Sequence, residues 1–168
     1  MLPTCAVGPS ARRAVTLSLA PMTSAWASQV AGWRYEPPLD VYNPNEDTVA
    51  SMLDGNHLAI LADGELVGFV GLGAESRVPG GPPPLDDVTD VGVGIRPDML
   101  SERLGTRAGE LVLETLQMAG HPALRASVLA SNERSIRLAV RLGFHETGSF
   151  LGSRDGERFV VLERELLA

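Results

Sequence analysis

The segment RPDMLSERLGTRAGE, residues 96–110, has the residue types of a phosphate-binding helix start. It lies between an alternating apolar run and an amphipathic helical pattern, with Gly105 at its centre. In a strand-loop-helix unit the first backbone N–H groups of the helix point at the loop, and the helix dipole favours an anion there. The segment therefore predicts an anion site, to which Arg103 or Arg107 could add a charge-assisted hydrogen bond. The alternative is a tight helix start at Leu104–Thr106 with solvated charges around it.

Aromatic residues are concentrated in the Pro-rich segment WRYEPPLDVY, residues 33–42. The chain contains only two Trp, two Tyr and four Phe residues, yet Trp33, Tyr35 and Tyr42 all lie in this segment. Tyrosine hydroxyls and an aromatic wall suit an amine, through hydrogen bonds and cation–π contact. The segment therefore predicts an amine-binding surface. The alternative is that Trp33 packs into the core and the tyrosines cover it.

The charge balance disfavours several classes of partner. The net charge is −7 and the sequence pI is about 4.9, whereas binding to nucleic acid or anionic lipid needs a broad basic surface. No apolar run approaches the roughly 20 residues of a membrane helix, and the N-terminal residues lack the order of a signal peptide. We therefore expect a cytoplasmic protein without nucleic-acid or membrane partners.

The residue types give little support to covalent or metal chemistry. All 14 basic residues are arginine, so a lysine Schiff base and a Walker-type phosphate lysine are excluded. The single cysteine, Cys5, lies in a Pro- and Ser-containing tail and allows no internal disulfide. His57, His121 and His145 lie in three different predicted elements without ligand spacing, so no metal site is expected.

Hydrophobic periodicity and turn residues divide the chain into a flexible tail over residues 1–13 and one domain over residues 14–168. Asp63-Gly64 and Asp155-Gly156 each separate two apolar runs, the strongest short signal for a β-hairpin. An apolar stripe along residues 105–120 indicates an amphipathic helix. The predicted order is strand 14–21, helix 22–33, helix 45–55, two strands in 57–73, strand 88–97, helix 105–120, strand 123–130, helix 131–144 and two strands in 145–166.

These elements and their motifs resemble a known family. The order of strands and helices, DVGVGIRPDM leading into LSERLGTR, and the later NERSIRLAVRLGF are together similar to the GNAT superfamily of acyl-coenzyme A dependent N-acetyltransferases, over residues 14–168. Within it, SNERSIRLAVRLGFHETG most resembles the branch of the RimJ/RimL ribosomal-protein acetyltransferases. The resemblance implies an α/β fold with a mixed, mainly antiparallel sheet of about seven strands flanked by about four helices.

The resemblance implies acetyl-coenzyme A (acetyl-CoA) as the co-substrate and no metal. In the family, a loop with the pattern Q/R-x-x-G-x-G/A binds the coenzyme A pyrophosphate through its amides, and the fourth strand pairs with the pantetheine arm. Here Glu102 stands at the Gln/Arg position and Arg107 at the second Gly/Ala position. Asn132 matches a family asparagine near the pantetheine arm, and it also suits a helix N-cap. The implied cofactor-binding residues are Val93, Ile95, Arg103, Leu104, Gly105, Thr106, Arg107 and Asn132.

Catalysis needs a base that takes a proton from the acceptor amine and an acid that returns one to the coenzyme A thiolate. The resemblance points to Asp90, on the fourth strand, as the base acting through water; the alternative is a strand-end acid exposed to solvent. The family tyrosine of the last helix is replaced by Ala139. Ser135 stands where a serine of the RimJ/RimL branch is assigned as the acid, although it also suits a local hydrogen bond in the first helical turn.

The sequence therefore predicts an N-acetyltransferase that moves an acetyl group from acetyl-CoA to a primary amine by direct attack, because no residue offers a covalent carrier. The acceptor would be a small molecule or a protein N-terminus, bound by Trp33, Tyr35 and Tyr42. The alternative is a GNAT-fold protein whose altered loop binds another ligand or supports a different reaction in the same cleft. The identity of the acceptor, the acyl chain length and the oligomeric state, including a homodimer, are left open.

Overall fold

The structure, a computed structural model, describes residues 14–166 apart from the side chain of Glu102. The predicted tail over residues 1–13, with Cys5, lies outside the described residues. The regular elements, in chain order, are β1 Leu17–Pro21, α1 Ser24–Ala31, a 3-10 turn Leu39–Tyr42, α2 Thr48–Met52, β2 His57–Ala62, β3 Glu65–Leu72, a 3-10 turn Gly73–Ser76, β4 Thr89–Ile95, a 3-10 turn Pro97–Met99, α3 Glu102–Met118, β5 Ala123–Leu129, α4 Glu133–Arg141, β6 His145–Leu151 and β7 Arg158–Glu165.

The strands form one sheet in the order β1-β2-β3-β4-β5-β7-β6. Every neighbouring pair is antiparallel except β4 and β5, which are parallel. The α-helices cover both faces of this sheet, as the two cores described below require. The fold class expected from the sequence, a mainly antiparallel α/β sheet of seven strands with four α-helices in the described residues, is confirmed.

The β2–β3 hairpin turns at Asp63 and Gly64, as the sequence predicts. The φ angle is +48° at Asp63 and +85° at Gly64, and a type I′ turn requires positive φ at both central residues. The Asp63 carboxylate also accepts a hydrogen bond from the Thr16 amide at 3.1 Å. The turn residues therefore fix both the hairpin and the chain that leads into β1.

Alternating side chains of the sheet contribute to two apolar cores. Ile60 packs with Val112 of α3 on one face, whereas its neighbour Leu61 packs with Val30 of α1 on the other. Apolar residues of α4 join the first core and those of α2 join the second. Successive residues of a strand point to opposite faces, so the sheet has an α3/α4 face and an α1/α2 face.

The strands β4 and β5 separate soon after they meet. Their parallel pairing ends at Asp90 and Arg125, although the strands continue to Ile95 and Leu129. Over these later residues β4 remains paired with β3, and β5 remains paired with β7. The facing edges of β4 beyond Asp90 and of β5 beyond Arg125 border an opening, which we call the β4–β5 gap. Such unpaired strand edges can bind an extended ligand through backbone hydrogen bonds.

The helix α3 begins earlier than the sequence predicts. Its first residue is Glu102, and Ser101 is the N-cap, whose Oγ accepts a hydrogen bond from the Leu104 amide at 3.1 Å. A serine cap satisfies one of the N–H groups that a helix start leaves without a helical partner. Gly105, which was expected to begin the helix, therefore lies at the end of its first turn. In contrast, α2 is shorter than expected and has only five residues.

Candidate active site

Gly105 contributes to helix packing in this structure. Its amide donates a hydrogen bond to the Ser101 carbonyl at 3.0 Å, and a Cβ at this position would lie 3.0 Å from Cδ2 of Leu138 in α4. The Leu104 amide is already engaged by Ser101 Oγ. Two amides of the predicted phosphate loop are thus bonded within the helix start. An anion at this helix would instead meet the amides of its first two residues, for which no helical partner exists.

A cavity of about 440 Å³ lies between α3 and α4, and we call it the arginine cavity. Its lining residues are Arg103, Thr106, Arg107 and Arg141. Three of these four described lining residues are arginines, in a chain of net charge −7. Arg107 also donates a hydrogen bond to the Val15 carbonyl, which positions its side chain. Guanidinium groups around a concave surface concentrate positive potential and suit a phosphate. The structure thus brings together three predicted cofactor residues and adds Arg141, which the sequence reasoning missed.

Two tyrosines place their hydroxyl groups in the β4–β5 gap. Tyr35 Oη donates a hydrogen bond to the Ile95 carbonyl at 2.7 Å, and Tyr42 Oη accepts one from the Leu129 amide at 2.9 Å. The next residue after Ile95 donates its amide to β3, and the next residue after Leu129 donates its amide to β7. Because the backbone groups of successive residues point to opposite sides of a strand, the Ile95 carbonyl and the Leu129 amide both point to the gap. Each hydroxyl is therefore hydrogen-bonded to a backbone group of one of the two strands that border the gap.

Burial changes the acidity of both tyrosines. It raises the pKa of Tyr35 from 10.0 to about 12. Burial also raises the pKa of Tyr42, although hydrogen bonds with the Leu129 amide and the Asn132 side chain act in the opposite direction. Both phenols are therefore neutral near neutral pH and can donate a hydrogen bond or a proton. The Asn43 side chain further fixes this segment by accepting the Tyr35 amide at 2.6 Å.

Trp33 does not line the gap with the tyrosines. Its side chain is only 8% exposed, and its ring centroid lies 6.1 Å from that of Phe69 in the core on the α1/α2 face. The predicted role of Trp33 in amine binding is therefore wrong, because the ring has no surface to offer a ligand. The alternative, in which Trp33 packs into the core, is confirmed. Tyr42, by comparison, is 39% exposed.

Asp90 is held in a buried ion pair. Its chain neighbour Val91 points into the first core, so the Asp90 side chain points to the other face of the sheet, where it is 5% exposed. Its Oδ1 accepts a hydrogen bond from Arg125 Nε at 2.7 Å, and its Oδ2 accepts bonds from Arg77 Nε at 2.8 Å and Arg125 Nη2 at 3.0 Å. Arg125 is itself 2% exposed and also donates to the Pro83 carbonyl at 2.9 Å. These bonds tie the β3–β4 connection to the sheet.

This geometry bears on both interpretations of Asp90 made from the sequence. The carboxylate is not exposed to solvent, so it is not a simple strand-end acid. Both of its oxygens are engaged by guanidinium donors, so accepting a proton would disrupt a bidentate ion pair. The role of Asp90 as the base stays a prediction, and its contacts indicate an anchoring role instead.

The start of α4 brings together three polar residues named from the sequence. Asn132 Oδ1 accepts a hydrogen bond from the Ser135 amide at 3.3 Å, which confirms the expectation of an N-cap. The Asn132 side chain also reaches the Tyr42 hydroxyl. Ser135 is half-buried in the first helical turn. Asn132, Ser135 and Tyr42 therefore meet at the end of β5, beside the gap, and their functional roles stay predictions.

A histidine that the sequence reasoning left without a role lies on the α1/α2 face. His57 is 8% exposed, and its Nδ1 lies 3.2 Å from Asp54 Oδ1. Nearby, Ser76 has a buried Oγ that lacks a hydrogen-bond partner within residues 14–166. The spacing of Asp54 and His57 in DGNH, just before an apolar strand, is the signal from which their pairing could have been predicted.

A second cavity, of about 540 Å³, lies between the β3–β4 connection and the strands β6 and β7. Its polar lining includes Arg125 and the half-buried Glu163. The remaining lining residues are Gly80, Gly81, Pro82, Pro83, Leu85, Thr147, Gly148, Ser149, Phe150 and Val161. The cavity combines a carboxylate, hydroxyl groups and an aromatic ring, which suits a polar ligand with some apolar surface.

Within residues 14–166, apart from the side chain of Glu102, no three His, Cys, Asp or Glu side chains converge as potential metal ligands. None of the helices there combines the length and the apolar character that crossing a membrane requires.

The sequence matches one family model, that of the acetyltransferase (GNAT) domain. The match covers residues 12–145, which is more than half of the chain and includes every element from β1 to α4. Among curated proteins, none matches the sequence at a significant level.

Several solved structures share the fold. The ribosomal-protein-S18-alanine N-acetyltransferase from Escherichia coli is 18% identical, with 91% of this chain and 96% of that chain covered and a TM-score of 0.66. The aminoglycoside acetyltransferase AAC(6')-Ib in complex with coenzyme A is 18% identical, with 89% and 95% covered and a TM-score of 0.64. A Salmonella typhimurium protein described as an acetyltransferase, solved with its cofactor acetyl-CoA, is 17% identical, with 90% and 94% covered and a TM-score of 0.64.

Proposed function

We propose that this chain, which belongs to the GNAT family of acetyltransferases, transfers an acetyl group from acetyl-CoA to a primary amine. The observation that carries the proposal is the β4–β5 gap, with its unpaired strand edges. From this gap the chain leads into α3, whose first turns line the arginine cavity. Acetyl-CoA joins anionic phosphates to an extended arm with amide groups, so the cavity and the gap suit its two parts.

The phosphates would be held at the first turns of α3. The amides of its first two residues and the helix dipole favour an anion, and Arg103, Arg107 and Arg141 add positive charge from the arginine cavity. Thr106 lines the same surface. In this arrangement the arginine at position 107, which departs from the family pattern, supports phosphate binding instead of preventing it, because its side chain faces the cavity.

The pantetheine arm would lie along β4, with Val93 and Ile95 presenting backbone groups to the gap. The Ile95 carbonyl is engaged by Tyr35, so an arm that pairs there has to displace this hydroxyl, whereas pairing at Val93 does not require it. Asn132 stands at the other side of the gap, near the end of β5. When bound, acetyl-CoA supplies an activated acetyl thioester. The protein residues orient it and exclude water.

The acceptor amine would approach from the α1/α2 face, where Tyr35 and Tyr42 border the gap. Ser135, at the start of α4, is proposed to return a proton to the thiolate. The α4 motif resembles the RimJ/RimL branch, and the E. coli structure named above is a ribosomal-protein N-acetyltransferase. Both support a protein N-terminus as one acceptor class, beside small-molecule amines.

Direct attack by the amine follows from the residue types. A covalent acyl-enzyme route needs an activated nucleophile such as cysteine, lysine or a serine paired with a base. The chain has no lysine, and its single cysteine is Cys5, far in sequence from the strands that border the gap. Ser76 has a histidine nearby, but its buried Oγ makes no hydrogen bond to His57. The acetyl group would therefore pass from the thioester to the amine in one complex.

A second candidate function is a GNAT-fold protein that binds a different ligand. The observation in its favour is the occupation of the gap, since Tyr35 and Tyr42 already bond one backbone group on each strand. In that case the tyrosine segment would close the gap permanently, and the arginine cavity would serve another anion.

The proposed activity is tested by incubating the purified chain with acetyl-CoA and a panel of amines, including alkylamines and peptides with a free N-terminal alanine. Release of the coenzyme A thiol is followed with a thiol reagent, and the acetylated product is confirmed by mass spectrometry. We expect thiol release that depends on the amine. Thiol release no faster than background hydrolysis with every amine, although acetyl-CoA binds, would favour the second candidate function.

A further inference from the structure

Asp54 fixes the orientation of the His57 ring. His57 Nδ1 lies 3.2 Å from Asp54 Oδ1, and the same oxygen accepts the Asn56 amide at 2.7 Å. A hydrogen bond to a carboxylate keeps the proton of a neutral imidazole on Nδ1, so that Nε2 carries the lone pair. The ring is almost buried, and its centroid lies 6.4 Å from that of Phe69. A histidine oriented by a carboxylate in this way can act as a general base.

Nε2 of His57 and the hydroxyl of Ser76 border the same space above Gly71. A Cβ at Gly71 would lie 3.1 Å from His57 Nε2 and 2.9 Å from Ser76 Oγ. The two polar atoms are therefore close enough for one water molecule to bridge them. Ser76 Oγ is buried and lacks a hydrogen-bond partner within residues 14–166. A buried hydroxyl is costly when it is unsatisfied, so this atom indicates a missing water or ligand group.

Ser76 also reaches the strand that borders the β4–β5 gap. Gly71 of β3 is paired with Gly92 of β4. A Cβ at Gly92 would have only the Ser76 side chain within 4 Å, with Oγ at 3.5 Å. The position above Gly92 is thus in van der Waals contact with Ser76 and with no other residue that the structure describes outside its chain neighbours. An amine at that position would stand beside the edge of β4 that faces the gap.

The strand β4 also offers a carboxylate on this face, that of Asp90, but this group is less suited to act as a base. Asp90 lies two residues before Gly92, but Arg77 and Arg125 engage both of its oxygens. Asp54 and His57, in contrast, have a lone pair to offer at Nε2. The geometry therefore places the capacity to accept a proton at the histidine and not at the aspartate of β4.

We propose that Asp54, His57 and Ser76 form a proton relay that deprotonates the acceptor amine, an inference that rests on the proposed acetyl transfer. The ammonium proton passes to Ser76 Oγ while the Ser76 hydroxyl proton passes through one bridging water to His57 Nε2. The imidazolium is balanced by Asp54. The freed nitrogen lone pair forms the C–N bond, and the C–S bond breaks with its electron pair on sulfur. The thiolate then takes a proton from Ser135, Ser135 recovers one from the second proton of the attacking nitrogen through water, and His57 releases its proton to solvent.

The test compares two probe amines of nearly equal size, ethylamine and methoxyamine. Ethylamine is protonated at neutral pH and needs a base, whereas methoxyamine is largely neutral and does not. With saturating acetyl-CoA, His57→Gln should slow thiol release with ethylamine by about a hundredfold and leave methoxyamine within about threefold of the unmodified chain. Ser76→Ala should show the same selectivity with a loss of about tenfold, and it removes only a hydroxyl if His57→Gln fails to fold.

His121→Gln is the matched control. His121 Nδ1 lies 2.7 Å from Thr89 Oγ1, so this variant also removes a hydrogen-bonded imidazole but from outside the relay, and it should react normally with both probes. Equal losses on both amines, or no loss with ethylamine, would overturn the relay while leaving the transfer activity established. If the unmodified chain acetylates neither these probes nor any amine of the panel described above, the proposed function is overturned, and the relay with it.

Discussion

The two faces of the sheet around β4 handle charge in different ways. On the α3/α4 face, the side chains that line one cavity, among those the structure describes, are three arginines and a threonine. On the α1/α2 face, the buried charges have close partners, since Arg77 and Arg125 surround Asp90 and Asp54 bonds His57. An arginine-lined cavity in an acidic protein indicates a site for a ligand anion, whereas compensated buried charges indicate structural or proton-transfer roles.

This difference indicates the side of the β4–β5 gap on which each substrate of the proposed reaction would bind. The anionic end of acetyl-CoA would bind on the arginine side, and a cationic amine would arrive on the side with the histidine and its carboxylate. The β4–β5 gap connects the two sides, so the thioester would lie between them. Each prediction below changes one side and leaves the other intact.

The largest expected effect comes from Asp90→Asn. The substitution leaves Arg77 and Arg125 facing a neutral amide in a buried site, and breaking such a pair costs about 3–5 kcal/mol of unfolding free energy. Chemical denaturation measures the loss. Asp98→Asn is the control, because Asp98 pairs with Arg96 at 71% exposure and should change the free energy by less than about 1 kcal/mol. A stable Asp90→Asn variant that transfers acetyl slowly would instead support the predicted role of Asp90 as the base.

The next effect concerns the arginine cavity. Arg103→Gln removes one charge from its lining, and losing a charge-assisted hydrogen bond to phosphate should weaken acetyl-CoA binding by about tenfold to a hundredfold. The dissociation constant is measured by calorimetry at low and high salt, where the difference between the proteins should shrink at high salt. Arg154→Gln, an exposed arginine outside the cavity, should bind normally. Equal affinities for the Arg103 variant and the unmodified chain would remove this cavity from the cofactor site.

A smaller effect is expected from Tyr35→Phe, which removes the hydroxyl bonded to Ile95. Stability should fall by about 1 kcal/mol, the usual net value of such a bond. Acetyl-CoA should bind as well as before or better, because the Ile95 carbonyl is released for the pantetheine arm. Weaker binding would show that the hydroxyl contacts the cofactor instead of competing with it.

The same variant gives a pH signature. Because burial raises the pKa of Tyr35 from 10.0 to about 12, the folded state holds this proton more tightly than the unfolded chain. The stabilisation is fully present below pH 10 and is lost as the pH rises towards 12. Thermal denaturation between these pH values should show a steeper loss of stability for the unmodified chain than for Tyr35→Phe. Parallel curves would mean that Tyr35 is not buried in solution.

The smallest effect is expected from Gly105→Ala. A glycine required in a phosphate loop would not tolerate a side chain, whereas this glycine lies inside α3, where alanine favours the helix by up to about 1 kcal/mol. The new methyl group would meet the flexible tip of Leu138 at 3.0 Å, which offsets part of that gain. Stability should therefore change by less than about 1 kcal/mol, with an unchanged acetyl-CoA affinity. If Gly105→Ala lost much of its acetyl-CoA affinity while keeping its stability, the result would support the interpretation of Gly105 as part of a phosphate-binding loop.

Local signals in the sequence were sufficient for most of the fold. The Asp63-Gly64 turn, the apolar stripe of α3 and the N-cap at Asn132 each depend on neighbouring residues, and each was placed correctly. The start of α3 was predicted three residues too late because Gly105 was treated as the junction between the loop and the helix. Its true role is contact with α4, and a contact between distant segments leaves no local pattern.

The candidate site was predicted less completely for the same reason. Arg103 and Arg107 were named because they adjoin a helix start, whereas Arg141 joins them only through the packing of α3 on α4. Asp90 was named from its place in a motif, but its arginine partners come from other parts of the chain. His57 was set aside because it had no ligand spacing, although its partner Asp54 lies within the same turn.

Titration calorimetry with acetyl-CoA tests the central claim most directly, because every other step depends on the cofactor entering the gap. We expect one saturable site per chain with a dissociation constant below about 1 mM, weakened by added salt as phosphate contacts require. The absence of any binding up to that concentration would contradict the account. It would then leave the arginine cavity and the β4–β5 gap to a different ligand.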